Sequence, residues 1–459
     1  MSVVLIGASG SGKSTLAGQL CLTKDKSVAD SCYCPVHVPE SVEQSYPLSF
    51  ISDTREIERE ERQSFNVSHL LAANVSNEFS FTVIDAPGRI PSTKVAIASI
   101  IQGDVAILLL SAVGNDFKRD LEPHTGIAWQ HLIYASVFGI QRVIVCVNKM
   151  DDPSVAFSQA KYSTIIQKAE KTLASCGFKS HQRSFVPIGA LRGFNLFDSC
   201  SELSWSPTTL SHVMEKIEID RKARSRPFRM TIAQVHRISG VGTVICGSVL
   251  SGSLQHGIEV TIEPHYRNHA PLRSKVFSME RHHVSLDVAQ PGDFVGVHVH
   301  NMSRWDAQAG KLLCHRCEPC PLVTKFTALI SILWHPTSIK EGYAPMFHFG
   351  STRIPCQLTN IVDRIDRKTK KEIKKRKVGL VAGDLARVII TSKKSIAVEK
   401  HVSCKTLGSF VMLDHNRIVA IGKIEQLHAN VNPVVNEYEE KEVQCTLQGT
   451  GRLTKPVHH

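Results

Sequence analysis

The nine residues GASGSGKST, Gly7–Thr15, constrain this chain more than any other stretch. They fit G-x-x-x-x-G-K-S, follow the short apolar run Val3–Ile6 and lead into TLAGQLCL, which opens a helix. Strand, glycine-rich turn and helix start are the context in which such a loop holds phosphate. The small residues Gly7, Ala8, Ser9, Gly10, Ser11 and Gly12 let backbone N–H groups curl around the phosphates, and the helix beginning near Lys13–Thr15 favours their charge. Lys13 is expected to reach the terminal phosphates and the Ser14 hydroxyl to bind Mg2+. Alone, the loop leaves kinases, transporter ATPases and GTPases open.

Such a loop demands a sheet behind it. FTVI at Phe81–Ile84, VAILLL at Val105–Leu110, VIVCV at Val143–Val147 and FVPI at Phe185–Ile188 alternate with helical stretches. Unbroken apolar runs of this kind suit parallel strands buried on both faces, so residues 1–220 predict a doubly wound, mostly parallel α/β domain. Residues 221–226 read as a polar linker. From Pro227 the texture changes to short strands with glycine-rich turns, such as GTVICGSV and FVGVHV. This predicts an antiparallel β-barrel over 227–320 and a second over 321–428. Residues 429–459, which contain NEYEEKEVQ, read as a loose polar tail. The expected class is multidomain, α/β plus all-β, without internal repeats.

The net charge of +12 favours polyanionic partners such as RNA. Thirteen scattered cysteines argue for reduced thiols and a cytoplasmic setting rather than a disulfide framework. No signal peptide fits before the first strand, and the longest apolar run, Val105–Val113, is too short to span a bilayer. The expectation is a soluble protein with no membrane partner.

Three further motifs choose the base. DAPG, formed by Asp85, Ala86, Pro87 and Gly88, follows a strand and places an acid to hold Mg2+ and an N–H near the γ-phosphate. NKMD, formed by Asn148, Lys149, Met150 and Asp151, decides the matter. An aspartate accepts from both the ring N–H and the exocyclic amine of guanine, and adenine offers no such donor pair. Two charge-assisted bonds, each about 1.5–3 kcal/mol, give discrimination of order a hundredfold or more. Lys149 can pack over the base, and Asn148 can tie its loop to the phosphate loop. In IGAL the segment Gly189–Ala190–Leu191 offers the Ala190 N–H to the guanine carbonyl. The four motifs in this order predict GTP and GDP as ligands.

With these motifs in place, the chain from Val3 to about Leu427 resembles the translational GTPases of the elongation-factor-1-alpha group. That group includes the aminoacyl-tRNA carrier, eukaryotic release factor three and the ribosome-rescue GTPase that works with Pelota. The stretches that carry the resemblance include LSFISDTREIERE at Leu48–Glu60, NKMDDPSVAFSQAKY at Asn148–Tyr162, GVGTVICGSVLSG at Gly240–Gly252 and HPTSIKEGYAP at His335–Pro345. The resemblance implies a GTPase domain followed by two barrels. It also implies that the GTP form carries tRNA, or a tRNA-shaped protein such as a class-1 release factor or Pelota, to the ribosome. A guanine nucleotide exchange factor is a further implied partner. His282 and His283 match the place where the carrier takes the aminoacylated tRNA end. The run RKTKKEIKKRK at Arg367–Lys377, with eight basic residues, is a candidate for phosphate contact with RNA.

The pattern breaks around the γ-phosphate. The family has a water-positioning His after DAPG, where this chain has Arg89. Its Gly-Ile-Thr switch segment matches Arg62, Gln63 and Ser64, of which Ser64 keeps a hydroxyl for Mg2+. Ser9 and Gln63 make a polar gate where the family has an apolar one. Guanine binding is therefore expected with slow or atypical hydrolysis. CHRCEPC at Cys314–Cys320 has zinc-like spacing but no fourth cysteine at a metal-site distance, and reads as free thiols. His298 and His300 alternate on a predicted strand, share a face and read as barrel packing.

Overall fold

The computed structural model describes residues 1–21, 47–53, 55–61, 64–73, 80–88, 93–219, 225–264, 273–282, 284–300, 302, 306–366, 369 and 379–428. Arg62, Gln63, Arg89, His283, most of the proposed linker, the Arg367–Lys377 run apart from Thr369, and the tail lie outside the described residues.

Strand β1 (Ser2–Ile6) is buried along its whole length. Its alternation feeds two layers: Val4 and Ile6 enter one apolar cluster, Val3 and Leu5 the other. Each such fully buried aliphatic side chain contributes about 1.5–3 kcal/mol. β2 (Ser68–Ala73), β3 (Ser80–Asp85), β4 (Val105–Ser111), β5 (Arg142–Asn148) and β6 (Arg183–Pro187) complete a sheet of order β2-β3-β1-β4-β5-β6. Only β2 runs antiparallel to its neighbour. The helices are α1 (Lys13–Cys21), α2 (Glu56–Glu60), α3 (Thr93–Ile100), α4 (Asp116–Asp120), α5 (Ile127–Phe138), α6 (Gln159–Ser175) and α7 (Leu210–Glu215). Residues of α3, α5 and α6 cover one face of the sheet and those of α1 and α7 the other. The sheet is thus doubly wound. The segments after β1, β3 and β5 emerge from one edge, the carboxyl end where ligands bind in open α/β sheets.

The first barrel is a ring of β10 (Glu259–Glu263), β15 (Leu312–His315), β7 (Arg229–Ile238), β8 (Gly242–Ser251), β14 (Phe294–Val299) and β11 (Arg273–Arg281), closed by pairing of β10 with β11. The short strand β12 (Val284–Ser285) extends it, and β9 (Leu254–Gln255) pairs with β13 (Val288–Ala289). The second barrel closes β16 (Leu322–Ile332), β19 (Leu385–Ala397), β18 (Thr352–Ile365), β17 (Met346–Phe349), β20 (Ser409–Asp414) and β21 (Arg417–His428). Both interiors hold their own apolar clusters.

His298 and His300 do not pack inside the barrel. Val295, Val297 and Val299 take the interior of β14, so alternation turns both histidines outward.

The three bodies touch through specific contacts. Val411, Leu413 and Ile418 of the second barrel join the apolar cluster around α5, and Thr406 Oγ1 donates to Phe138 O at 3.0 Å. Between the barrels, Arg229 pairs with Glu399 at 2.7 Å, both side chains largely buried. The same guanidinium donates to Phe228 O and Glu318 O, which satisfies a charge that burial would otherwise penalise. Cys314 and Cys320 lie buried beside Cys404 and Leu407, whereas Cys317 is exposed. Among the described residues no three His, Cys, Asp or Glu side chains gather in a metal-binding group.

Candidate nucleotide site

The edge that bears the three loops opens into a cavity of about 490 Å³. Ser9, Gly10, Gly12, Lys13, Ser14 and Thr15 line one end, together with Gly88 and Ser64. Asn148, Lys149, Asp151 and Leu191 line the other. Gly7, Ala8, Ser11, Asp85, Ala86, Pro87, Met150, Gly189 and Ala190 stand behind this surface as its supports.

The guanine end is held by one side chain. Asn148 Nδ2 donates to Ser11 O at 2.9 Å, while its Oδ1 accepts from Lys149 N at 2.8 Å and from Ala190 N at 2.9 Å. A single amide thereby joins the phosphate loop, the NKMD loop and the IGAL loop. The Ala190 N–H, read from the sequence as a donor to the guanine carbonyl, is engaged by Asn148. Gly12 makes the closure possible: its φ is +96°, and a Cβ there would stand 2.2 Å from Asn148 Nδ2. Gly189 does the same for the acid, since its Cβ would lie 2.7 Å from Asp151 Oδ1. Arg192 Nε stands 4.0 Å from Asp151 Oδ2.

The phosphate end is charged and buried. Ser9 N donates to Gly88 O at 3.0 Å, which fixes the loop against DAPG. Lys13 Nζ donates to Ala8 O at 2.8 Å and to Gly7 O at 3.1 Å. Burial lowers the Lys13 ammonium to about 8, against the attraction of Asp85, Asp120 and Asp53. Asp85 is buried with no close hydrogen-bond partner; burial raises its pKa, and Lys13 and the hydroxyls of Ser14 and Ser52 oppose the rise. Ser14 Oγ and Ser64 Oγ lie 2.9 Å apart, and Ser64 donates to Asp53 Oδ1 at 2.7 Å. Burial lifts Asp53 to about 7; the Ser64 bond works against the rise, and Asp85 and Glu58 add to it.

Three contributors escaped the sequence reading. Asp53 stands in the quoted switch segment, but only folding shows that it lines the phosphate end. Glu58 on α2 is buried and accepts from Phe65 N and Asn66 N at 2.8 and 2.9 Å, so it pins the chain that presents Ser64. His131 sits in the apolar helix α5, where nothing in the sequence separates it from core, yet its Nδ1 accepts the Gly7 N–H at 3.3 Å. Burial, then Lys13, holds its imidazole down at about 3, so it stays neutral as that bond requires.

A Mg2+ ion suits this donor set. The buried Asp85 carboxylate, the Asp53 carboxylate and the Ser14 and Ser64 hydroxyls are hard oxygens at one spot, and Mg2+ takes few protein ligands beside phosphate and water.

His282 lies away from this cavity. It has φ +49° and its Nε2 bonds Thr82 Oγ1 on β3 at 2.9 Å. Beside it His69 on β2 stacks on Phe294 of the first barrel, ring centres 3.9 Å apart, and bonds Gln102 at 2.8 Å. The position read as a tRNA-end contact therefore bridges the α/β domain and the first barrel.

Residues 1–238 match the family described as elongation factor Tu GTP binding domain, and residues 325–425 the GTP-eEF1A C-terminal domain-like family. Elongation factor 1-alpha of Saccharolobus solfataricus is 31% identical over 429 residues, which cover 92% of this chain and 96% of that protein. In fold, the chain is similar to the Saccharomyces cerevisiae Ski7 GTPase-like domain bound to GTP (TM-score 0.71, 17% identity, 92% and 96% of the two chains). It is also similar to the elongation factor SelB of Methanococcus maripaludis in complex with a GTP analogue (TM-score 0.65, 18% identity, 93% and 79%). The chain belongs to the elongation-factor-1-alpha family of translational GTPases and is a GTP-binding, elongation-factor-like protein.

Proposed function

We propose that this protein binds GTP with Mg2+ and, in that state, brings a tRNA or a protein shaped like one to the ribosomal A site in the cytoplasm, during elongation or during termination and rescue. The observation that carries the reading is one cavity lined by Asp151 and Asn148 at one end and by Lys13, Ser14 and Asp53 at the other, with Asp85 buried behind it. In the proposed roles, Asp151 accepts from the two guanine donors and Lys149 covers the base. Phosphate takes the place of the carbonyls that Lys13 now holds. Mg2+ would offset the charge of the terminal phosphates, and Ser14, Ser64, Asp53 and Asp85 would hold it. Ser64 immediately precedes the residues pinned by Glu58, so gain and loss of the γ-phosphate would reach the first barrel through β2 and β3.

The cargo leans towards protein. His282 and His69 occupy the seam between the α/β domain and the first barrel, which leaves less room there for an aminoacylated end. A class-1 release factor or a Pelota-like protein suits this better, and an exchange factor is a further candidate partner.

A second reading, a GTP-holding module without turnover on the ribosome or RNA, draws support from the phosphate end. Among the described residues no histidine lines the cavity, and His131 stands behind Gly7 with its Nδ1 engaged. Arg89 carries only donors, so it cannot orient water by a lone pair. The deciding experiment is single-turnover GTP cleavage on saturating ribosomes with wild type, Arg89→His and Arg89→Ala. Slow cleavage that Arg89→Ala leaves nearly unchanged fits a weakened enzyme. A loss of a hundredfold or more, about 2.7 kcal/mol of barrier, makes Arg89 a working catalytic residue and overturns the expectation of slow hydrolysis.

A further inference from the structure

His298 and His300 take no part in the nucleotide site, and the proposed function makes no use of them. His298 projects outward from β14 and His300 lies one residue past its end, their ring centres 5.6 Å apart and planes inclined by 42°. On β11 Phe277 alternates outward with Arg273 and Lys275 onto the same face, where it is 51% exposed. The Phe277 ring meets His298 at 5.1 Å and His300 at 4.9 Å, edge to face in both cases. Neither imidazole hydrogen-bonds to another described side chain or backbone group. Beside His298, Gly242 leaves the Nε2 edge clear: a Cβ there would come within 3.2 Å of that nitrogen.

We propose that His298 and His300 chelate one divalent transition ion of the imidazole-binding class, Cu2+ more tightly than Zn2+. A metal–nitrogen distance of about 2.0–2.1 Å with near-tetrahedral angles sets two ligating imidazole rings roughly 5–6 Å apart between centres. The observed pair has that spacing before any ion is added. Alternation carried past the end of β14 puts both rings on one face, where the Phe277 ring meets each edge to face. Imidazole donors select copper, zinc and nickel over magnesium or calcium, and the usual order of affinities puts Cu2+ first. No third His, Cys, Asp or Glu among the described residues completes the set. The ion therefore keeps open positions for water or for a donor from a partner, on an exposed face of the first barrel.

The assignment is tested on the full chain with CuCl2 and ZnCl2 by calorimetric titration. The chain has 22 histidines, so the readout is the difference between wild type and the variants His298→Gln and His300→Gln. Each single variant is expected to lose one ion equivalent and at least tenfold in affinity at that step. The double variant should lose no more, because two ligands act as one chelate. Phe277→Leu should keep the ion. Independently of any variant, one equivalent of Zn2+ should protect His298 and His300 of the wild type from carbethoxylation mapped by mass spectrometry. Unchanged stoichiometry and affinity in both single variants, or equal modification of the two rings with and without Zn2+, overturns it.

Discussion

The two ends of the nucleotide cavity are built on opposite principles. At the guanine end every polar group of Asn148 is engaged before any ligand arrives, and it locks three loops together. At the phosphate end burial raises the pKa of Asp85, pushes Asp53 up to about 7 and pulls Lys13 down to about 8. A complete hydrogen-bond network is stable by itself, whereas clustered buried charges raise the free energy of the protein alone, as the shifts of Lys13, Asp53 and Asp85 show. In the proposed reading, the guanine end is a preformed reader, its loops already joined by Asn148. In the proposed reading, nucleotide and Mg2+ would restore the balance of the phosphate end, which makes it the natural place for a conformational switch.

The largest expected effect breaks the reader. Asp151→Asn removes an acceptor for two guanine donors, and GTP and GDP binding should fall by about a hundredfold or more. Xanthine nucleotides should gain, since their carbonyl oxygen accepts from the new amide. Equilibrium titration with fluorescent nucleotides reads both, and similar wild-type affinities for ATP and GTP would end the guanine reading altogether.

Next comes the strut between the two ends. Gly12→Ala forces a Cβ to 2.2 Å from Asn148 Nδ2 at a φ of +96°. Such strain costs about 1–3 kcal/mol, so guanine nucleotide affinity should drop by roughly ten- to a hundredfold although no ligand contact has been deleted. If affinity holds, the loops are not coupled through Asn148.

This contrast also explains what the sequence could reveal. The guanine reader was legible because its residues are contiguous and their order along the chain matches the order of strands. Lys13, Ser14 and Asp85 were legible for the same reason. Asp53 and Glu58 were not, because their roles depend on how a segment with no regular period folds back over the loop. His131 was hidden for a different reason: a histidine in a helix buried on all sides looks like packing, and only the distance to the Gly7 N–H shows its task. The sheet and both barrels followed from apolar runs and glycine spacing. The outward facing of His298 and His300 required the register, in which three valines claim the interior.

A smaller effect sharpens the phosphate side through pH. His131 has a folded value of about 3 against an ordinary value of 6.5. Between those limits the unfolded chain binds the extra proton, so stability rises with pH and is lost as pH falls below about 6.5. One such group contributes a slope of at most about 1.4 kcal/mol per pH unit. His131→Gln should flatten the acid limb of the urea-unfolding profile between pH 6.5 and 4. An unchanged slope would assign the acid sensitivity to other groups, such as His69 in the seam, which burial holds at about 4.

The smallest expected effect concerns the seam. The hydrogen bond between His282 Nε2 and Thr82 Oγ1 is worth about 0.5–1.5 kcal/mol. A double-mutant cycle of His282→Ala and Thr82→Val, read by urea unfolding, should return a coupling within that range. A coupling near zero would mean that the contact does not persist in solution. The same His282→Ala variant then separates the cargoes. If His282 serves only the seam, charged and uncharged tRNA should respond to the substitution alike, within a few-fold. A selective loss for aminoacylated tRNA would show that the ring leaves Thr82 to meet the acceptor end, so the seam would be an entrance. The cargo would then shift from a tRNA-shaped protein back to aminoacyl-tRNA. His69 would probe the same choice from the other side. Its stack on Phe294 at 3.9 Å must part if the seam opens, so His69→Ala should weaken docking of the first barrel whichever cargo is carried. Only His282 tells the two cargoes apart.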